Sequence, residues 1–475
     1  MLRYLFLIHR YLGIAVSLLM VTWCLSGFVM IYVSYPRLDE SKRVAALPLL
    51  DLASGDEVSG TRAIAPDTRI SAVKVERVGT DLIAEIQTGA RRAVMDLKSG
   101  SRAAIDMATA AATAHQFARY AHLPFQYRSA VSLNVDQWTA SDEFRGDRPL
   151  YKFSWSDADR TELYVSSATG EAVQLTTFKV RFWNWLGAVP HWAYFTGLRR
   201  HAVAWTQFMV ISSLLGCFLA AIGIYIGIRQ FLYRPSGRFS PYRGFLLWHH
   251  VPGLIFGLFA LTWVLSGFVS MNPWGLFEGG RAGAETEALR GAPLSWDEVQ
   301  DDLRQISLRP ELTGMVSLRS VTLNGKPVFV ASYPDGRRVR IDAEGSPAPL
   351  TAQDVAFEAS VLAGSSQSAV ELLSDADKYY FSHHSEPAVF PVYRVQVRDK
   401  DGTRYYLDPT TGEILKKTDS ASRGYRWMYA ALHRLDFGSA IRGRPVWDLA
   451  MLLLLTGVSL VCATGLYGAI PSVSK

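Results

Sequence analysis

The sequence predicts an α-helical integral membrane protein with four transmembrane helices, built as a tandem duplication and carrying two α+β domains outside the membrane. Composition is the first indication: of 475 residues, 49% are hydrophobic and 19% are charged, with a mean hydropathy of +0.09. A soluble protein carries about a quarter charged residues, so part of this chain is expected in lipid. Four long apolar stretches and a repeat that runs through the chain complete the prediction.

The four apolar segments are each long enough to cross the bilayer, which takes roughly 20 helical residues. They are rich in Gly, Ser and Ala, as close packing of helices in lipid requires. The first has no A-x-A cleavage site after it, and we interpret it as a retained anchor helix. The segments cover 11–35, 205–228, 246–271 and 446–470.

Basic residues set the predicted orientation. Arg3 and Arg10 flank the start of the first segment, and the loop 229–244 contains four arginines and no acid. Because positively charged short loops stay in the cytoplasm, both termini and this loop are predicted to be cytoplasmic. The regions 36–200 and 272–440 then lie on the outer side, which is the periplasm if the source is a Gram-negative bacterium. The basic cytoplasmic segments explain the net charge of +6. The lipid bilayer is therefore the expected partner, and no nucleic acid is expected to bind.

The duplication appears as matching motifs at offsets of 240 to 242 residues. Because the offset hardly changes along the chain, each half is predicted to be helix, outer domain, helix, with the halves related by an axis along the membrane normal. The matches include HRYLG (9–13) with HHVPG (249–253), VTWCLSGF (21–28) with LTWVLSGF (261–268), TGE (169–171) with TGE (411–413), and PHWAYF (190–195) with LHRLDF (432–437).

The outer regions are predicted to be small α+β domains, because a helical stretch is followed by alternating apolar and polar runs that end in Gly turns. The predicted organisation is transmembrane helix 1–35, outer domain 36–180, interfacial and second transmembrane helix 181–232, basic loop 233–245, transmembrane helix 246–272, outer domain 273–422, and interfacial and fourth transmembrane helix 423–475.

Four of the ten histidines are matched by the repeat. His9 is equivalent to His249 at the cytoplasmic ends of two spans, and His191 is equivalent to His433 just before two spans on the outer side. A two-fold axis brings equivalent residues face to face, so the sequence predicts two facing pairs, one near each membrane surface. Two imidazoles from facing helices are the axial ligands of six-coordinate b-type haem. No C-x-x-C-H motif is present, which excludes covalent haem attachment.

Small residues near the first pair favour haem. Gly13 and Gly253 lie four residues after His9 and His249, on the same helical face, and would let a flat macrocycle approach. The alternative is that these histidines bind lipid headgroups, and that His191 and His433 are buried, hydrogen-bonded side chains. A metal without porphyrin is disfavoured because no Cys or carboxylate lies at ligand spacing beside them.

Charged residues on the predicted outer side extend the site. Arg199 and Arg200 in one half, and Arg442 and Arg444 in the other, are predicted to bind haem propionates, with phospholipid contact as the alternative. His383 and His384 lie in a loop of the second outer domain that has no histidine counterpart in the first. They are candidates for contact with a substrate, whereas an ordinary surface loop is the simpler interpretation.

The motifs together resemble the PepSY-associated transmembrane family of bacterial inner-membrane proteins, which includes haem-containing ferrisiderophore reductases. The matching motifs are HRYLG with TWCLSGF, DQW, RPLYK, ATGE, the PHW element, HHVPG with TWVLSGF, and DKYYFSHH. The resemblance implies PepSY-like outer domains and electron transfer through b-type haem, expected as two groups, to a ferric siderophore or similar chelate in the periplasm. The family's haem ligands would fall on His9, His191, His249 and His433.

The expected activity is therefore that of a ferric-chelate reductase, an oxidoreductase for which no catalytic residue is predicted beyond the haem ligands. No G-x-G-x-x-G follows a strand, so a quinol or a cytoplasmic reductase is expected to donate the electrons. Two alternatives stand beside this function. One is a non-catalytic membrane protein that binds or regulates a periplasmic partner, and the other is a component of a siderophore permease.

Overall fold

The computed structural model describes residues 2–50, 52, 65, 68–89, 91–277, 279, 282–309, 312–382 and 387–469. The chain divides into two compact units. The helical unit comprises residues 1–35, 179–279 and 421–475, and the sheet unit comprises 36–178 and 280–420.

The described α-helices comprise four long apolar helices and a larger number of shorter ones. In chain order they are α1 Leu2–Met30, α2 Glu40–Ala45, α3 Met107–Tyr120, α4 Phe178–Leu186, α5 Ala188–His191, α6 Thr196–Arg199, α7 Ala202–Leu232, α8 Phe245–Ser270, α9 Gly283–Arg290, α10 Trp296–Ser307, α11 Ala352–Ala363, α12 Ser420–Tyr425, α13 Leu432–Arg434, α14 Ser439–Arg442 and α15 Val446–Ala469. A π-helical segment, Arg426–Ala431, joins α12 to α13.

The strands are β1 Arg69–Ile70, β2 Ala72–Val78, β3 Asp81–Thr88, β4 Arg91–Asp96, β5 Ser129–Leu133, β6 Leu150–Ser154, β7 Glu162–Ser166, β8 Ala172–Thr176, β9 Leu294–Ser295, β10 Ser317–Leu323, β11 Lys326–Ser332, β12 Arg338–Ile341, β13 Ser368–Leu373, β14 Val392–Val397, β15 Arg404–Leu407 and β16 Ile414–Thr418. All of their pairings are antiparallel.

Four helices of the helical unit are long and apolar enough to cross a membrane, which confirms the four predicted segments. They are α1, α7, α8 and α15. The first differs from its predicted range, since it begins at Leu2 rather than at 11 and ends at Met30 rather than at 35. Hydropathy marks only the apolar stretch, whereas the helix itself continues through the flanking Arg3 and Arg10. Pro36 follows shortly after its end, and a proline disfavours helix at the residue before it.

Small residues allow the long helices to pack closely. A Cβ on Gly216 of α7 would lie 2.8 Å from Val264 of α8, and a Cβ on Gly457 of α15 would lie 2.5 Å from Phe256 of α8. The buried core between these helices also contains Met20. Glycine is therefore required at these crossings, as in other helix interfaces in lipid.

The sheet unit repeats one motif twice. Sheet β5-β6-β7-β8 and sheet β13-β14-β15-β16 have the same strand order, and each lies in the same half as one packing helix, α3 or α11. Small or short side chains on α3, such as Ala110 and Ala114, pack against Phe153 and Leu163 of the first sheet. These repeats confirm the predicted α+β architecture.

A third sheet joins the two halves. Its order is β12-β11-β10-β2-β3-β4, and the central pairing of β2 with β10 connects strands that belong to different repeats. The predicted outer domains 36–180 and 273–422 thus share one six-stranded sheet. Local sequence could not indicate this pairing, because it joins strands about 240 residues apart.

Candidate functional site

The helical unit places the first two equivalent histidines face to face. His9, in the second turn of α1, and His249, near the start of α8, have ring centroids 6.3 Å apart with their planes inclined by 43°. Both rings come from helices that belong to different halves of the chain. The pairing expected from the repeat is therefore present in the tertiary structure.

Each of these rings is oriented by the other long helix of its own half. His9 Nδ1 lies 3.2 Å from the carbonyl oxygen of Leu219 in α7. His249 Nδ1 lies 3.2 Å from the carbonyl oxygen of Val461 in α15, and 3.2 Å from the hydroxyl of Thr464. Because a carbonyl can only accept, Nδ1 carries the proton in both rings. The Nε2 atoms, which make no hydrogen bond with the described residues, keep their lone pairs available.

A glycine lies against each ring of this pair. A Cβ on Gly223 would be 2.6 Å from His9 Cε1, and a Cβ on Gly465 would be 3.2 Å from His249 Cε1. These glycines are themselves equivalent at an offset of 242 residues. The positions of both rings thus depend on the absence of a side chain on the neighbouring helix.

The second pair has a matching arrangement. His191 and His433 have ring centroids 6.2 Å apart, inclined by 77°. His191 Nδ1 lies 3.0 Å from the hydroxyl of Ser26, and His433 Nδ1 lies 2.9 Å from the hydroxyl of Ser266. Both serines donate to carbonyl oxygens of their own helices, so each histidine is the donor to its serine.

Burial also affects this second pair. Desolvation lowers the pKa of His191 to about 4 and that of His433 to about 3, and the proximity of His191 contributes to the second shift. Both rings are therefore neutral at physiological pH. Neutral imidazole is the form that binds a metal.

The two pairs lie well apart in the bundle. The ring of His191 contacts α1 at Trp23 and Ser26, which follow His9 by 14 and 17 residues. At 1.5 Å per residue, this is roughly 21 to 26 Å along the helix. The pairs are thus two separate sites near opposite ends of the unit.

The geometry of both pairs fits a metal held between two imidazoles. Two metal–nitrogen bonds of about 2 Å, with about 1.1 Å from each nitrogen to its ring centre, place the centroids roughly 6.2 Å apart. A hydrogen bond from the other ring nitrogen to a carbonyl or hydroxyl is the usual support of a metal-bound histidine. No group of three or more His, Cys, Asp or Glu side chains suitable for a metal occurs among the described residues. This donor set of two imidazoles fits a haem, whose porphyrin would supply four nitrogens.

The predicted glycines leave space beside the first pair. A Cβ on Gly253 would meet no atom within 4 Å, and a Cβ on Gly13 would meet only Ser17 of its own helix, at 3.7 Å. Neither glycine is therefore explained by a close contact with another helix. Their lack of a side chain is compatible with a flat group beside the histidines.

The four predicted arginines have different surroundings. Arg199 Nε and Nη1 are buried without a hydrogen-bond partner among the described residues, and the guanidinium lies over the rings of Tyr194 and Trp205 at 5.2 and 4.6 Å. Arg200 donates to His201. In the other half, Arg442 is paired with Asp436 at 2.6 Å, and Arg444 donates to the carbonyl of Ile31. Of the predicted arginines, Arg199 thus has the strongest need for an anion.

The other histidines differ from the paired ones. His250, next to His249, uses both ring nitrogens, with Nδ1 2.9 Å from the Ser240 hydroxyl and Nε2 3.0 Å from the Gly227 carbonyl. It therefore has a structural role. His383 and His384 lie outside the described residues.

Sequence analysis missed the partners of the histidines. Ser26 and Ser266 belong to the repeated TWCLSGF and TWVLSGF motifs, and Gly223 and Gly465 to the repeated GIYIG and GLYGA. These motifs were visible as repeats but contain no histidine and no carboxylate. Their equivalence across the halves was the signal that could have linked them to the histidines.

Comparison with known protein families assigns the chain to a family. Residues 6–321 match the family described as the PepSY-associated TM region, and residues 391–418 match the peptidase propeptide and YPEB domain, also called PepSY. No curated protein matches the chain. The first match covers well over half of the sequence. It includes nearly all of α1, all of α7 and, from the second half of the chain, α8. The chain belongs to the PepSY-associated transmembrane family.

Proposed function

We propose that this protein binds two b-type haems and passes electrons across the bacterial inner membrane to reduce ferric iron in a siderophore or similar chelate in the periplasm. The proposal rests on the two facing histidine pairs. In each pair the ring centroids are 6.2 to 6.3 Å apart, and each Nδ1 is turned toward a carbonyl or hydroxyl oxygen. In this arrangement Nε2 of both histidines in a pair would be free to hold a haem iron.

The residues of the chain have distinct roles in this proposal. His9 and His249 would hold one haem and His191 and His433 the other, each group shared between the two halves. Bound haem iron supplies reversible one-electron chemistry. The carbonyls of Leu219 and Val461 and the hydroxyls of Ser26 and Ser266 keep the four rings in the tautomer that leaves Nε2 unprotonated.

Arg199 would neutralise a propionate of the second haem. Its buried Nε and Nη1 have no described partner, and a carboxylate would satisfy them with charge-assisted hydrogen bonds. Arg442 is already neutralised by Asp436, so we assign it a smaller role. The sheet unit would lie in the periplasm and both termini in the cytoplasm, where a quinol or a cytoplasmic reductase donates electrons near His9 and His249.

The proposal is tested by haem content and by the pairing of histidine variants. The purified wild type is expected to contain two haems per chain in a pyridine haemochrome assay. His9→Ala and His249→Ala should lose the same haem, and His191→Ala and His433→Ala the other. His250→Ala, beside His249 but with both nitrogens engaged in the wild type, is the matched control and should keep two.

Measuring the reduction of a ferric chelate distinguishes the roles of the two proposed haem sites. His433→Ala should keep one dithionite-reducible haem and lose the reduction of a ferric chelate presented on the periplasmic side. A colourless wild type after expression with excess haem would reject the haem proposal. Undiminished chelate reduction by His433→Ala, at equal protein level, would reject the second pair as part of the electron route.

A further inference from the structure

A cavity of about 470 Å³ opens in the first half of the sheet unit. Its walls come from the segment after α2, the turn between β2 and β3, and one face of α3. This volume lies in the range of sites for small organic molecules, which is about 300 to 1,000 Å³. The haem proposal assigns no role to this cavity.

One wall is apolar and aromatic. Leu47, Pro48 and Ala112 line the cavity, and Phe125, with 66% of its surface exposed, stands at its edge. The ring of His115 stacks on Phe125 with centroids 4.3 Å apart and planes inclined by 13°. This wall suits the apolar part of a small molecule.

Arg119 of α3 is a cation at the cavity without an ion pair to a described residue. It is exposed, and it lies one turn after His115, whose Nδ1 is enclosed by the protein and makes no hydrogen bond within the described part of the chain. By contrast, Arg43, which also lines the cavity, is neutralised by Glu76 through hydrogen bonds of 2.8 and 3.0 Å. Of these two cations, Arg119 is thus the one that is available to a ligand.

The second half of the chain lacks these groups. The helix caps Asp106 and Thr351 are equivalent at an offset of 245 residues, which aligns α3 with α11. At this offset, Ser360 replaces His115 and Gly364 replaces Arg119. The duplicated fold therefore does not require the histidine and the arginine, and an additional role in the first half can explain them.

We propose that this cavity binds a small amphipathic organic anion. Its aromatic or aliphatic body would pack on Phe125, Ala112 and the ring of His115, and its carboxylate or equivalent anionic group would pair with Arg119. This inference is independent of haem and of the histidine pairs.

The experiment uses the full chain in lipid nanodiscs and isothermal titration calorimetry, with titration into empty nanodiscs subtracted. The probe is 2-naphthoate, and the uncharged 2-naphthamide has nearly the same shape. Naphthoate should bind once per chain and at least tenfold more tightly than the amide, because a charge-assisted hydrogen bond is about twice as strong as a neutral one.

Variants test whether naphthoate binds in this cavity. Arg119→Gln and His115→Ala should each weaken naphthoate binding about tenfold, the first by removing roughly one charge-assisted hydrogen bond and the second by removing an aromatic contact. Arg145→Gln changes the charge equally at an exposed arginine that is paired with Asp142 and does not line the cavity. It should leave binding unchanged.

Ala108→Trp provides a variant that retains both polar groups and places a large side chain in the lining. It should abolish binding, with thermal unfolding used to verify that each variant is folded. The inference is overturned by the absence of saturable naphthoate binding, by equal affinity for the amide, or by wild-type affinity in Arg119→Gln and Ala108→Trp.

Discussion

His9 and His249 have closely similar surroundings, whereas Thr113 and Glu358, which are equivalent positions of α3 and α11, do not. Each of the two histidines faces its partner, a carbonyl and a glycine of the neighbouring helix. Thr113 donates to the carbonyl of Gly170 at 2.8 Å. Glu358 is fully buried against the equivalent glycine, and neither of its oxygens has a hydrogen-bond partner among the described residues.

The histidines and the helix positions Thr113 and Glu358 differ in this way because their side chains contact different parts of the molecule. The paired histidines contact each other across the two halves, so a change on one side alters the surroundings of the other. Thr113 and Glu358 instead lie against Gly170 and Gly412, each in the turn of its own repeat, so either can change without altering the surroundings of its equivalent. Divergence between the halves is thus expected where a side chain contacts its own sheet.

The largest expected effect concerns the glycines beside His9 and His249, whose substitution tests whether the two rings are equivalent. Gly223→Ala places a Cβ 2.6 Å from His9, which requires the ring to move, whereas Gly465→Ala places one 3.2 Å from His249, which a small shift relieves. Gly223→Ala should therefore lose one of two haems, and Gly465→Ala should retain most of both. Gly267→Ala, with open space around the added atom, is the control. Full haem content in Gly223→Ala would contradict the importance of this contact.

The second prediction concerns the divergent pair. Burial raises the pKa of Glu358 to about 8 from an ordinary value of 4.5, with Asp354 adding to the shift and Arg340 opposing it. Between these two pH values the folded state holds a proton that the unfolded state has released, so stability falls as pH rises. The total loss for this group is about 4 to 5 kcal/mol.

This pH dependence can be measured by urea unfolding of the full chain in detergent between pH 4.5 and 8. Glu358→Gln should flatten the profile relative to wild type, because the amide does not titrate. Thr113→Val, at the equivalent position in the first half, should leave the slope unchanged and lower stability by about 1 kcal/mol through loss of a hydrogen bond. A slope that is the same in wild type and Glu358→Gln would mean that Glu358 is ionised when folded.

The third prediction concerns a feature that both sheets retain. Tyr164 donates to Asp136 at 2.7 Å and Tyr406 donates to Asp377 at 2.8 Å, with Lys152 or Arg394 beside the carboxylate. Tyr164→Phe and Tyr406→Phe should each destabilise the protein by about 1.5 to 3 kcal/mol, since each loses a hydrogen bond to a charged group.

Unfolding of the two variants by urea tests this expectation. The exposed Tyr120→Phe serves as control and should be neutral. Losses that differ by more than about 2 kcal/mol between Tyr164→Phe and Tyr406→Phe would show that the two sheets have diverged in energy despite the same geometry, which exceeds the usual variation of such contacts.

The sequence by itself determined the four long helices and the equivalence of the histidines, because hydropathy and self-similarity are properties of local stretches. Helix ends were less certain from sequence: α1 begins nine residues before its apolar segment, since charged residues such as Arg3 and Arg10 are compatible with helix outside the hydrocarbon. The pairing of His9 with His249 could be expected only after the repeat was recognised.

The tertiary structure alone decided which groups are already satisfied. Arg199 and Arg442 looked interchangeable in the sequence, but only the second meets a carboxylate, from Asp436. His249 and His250 are adjacent, yet a hydroxyl and a carbonyl engage both nitrogens of His250. The pairing of β2 with β10 likewise joins distant segments. The strand pairing joins distant parts of the chain, whereas the side-chain contacts span 6 to 23 residues across turns and loops. Neither kind of contact follows from hydropathy or from the repeat, because both depend on how the folded segments meet.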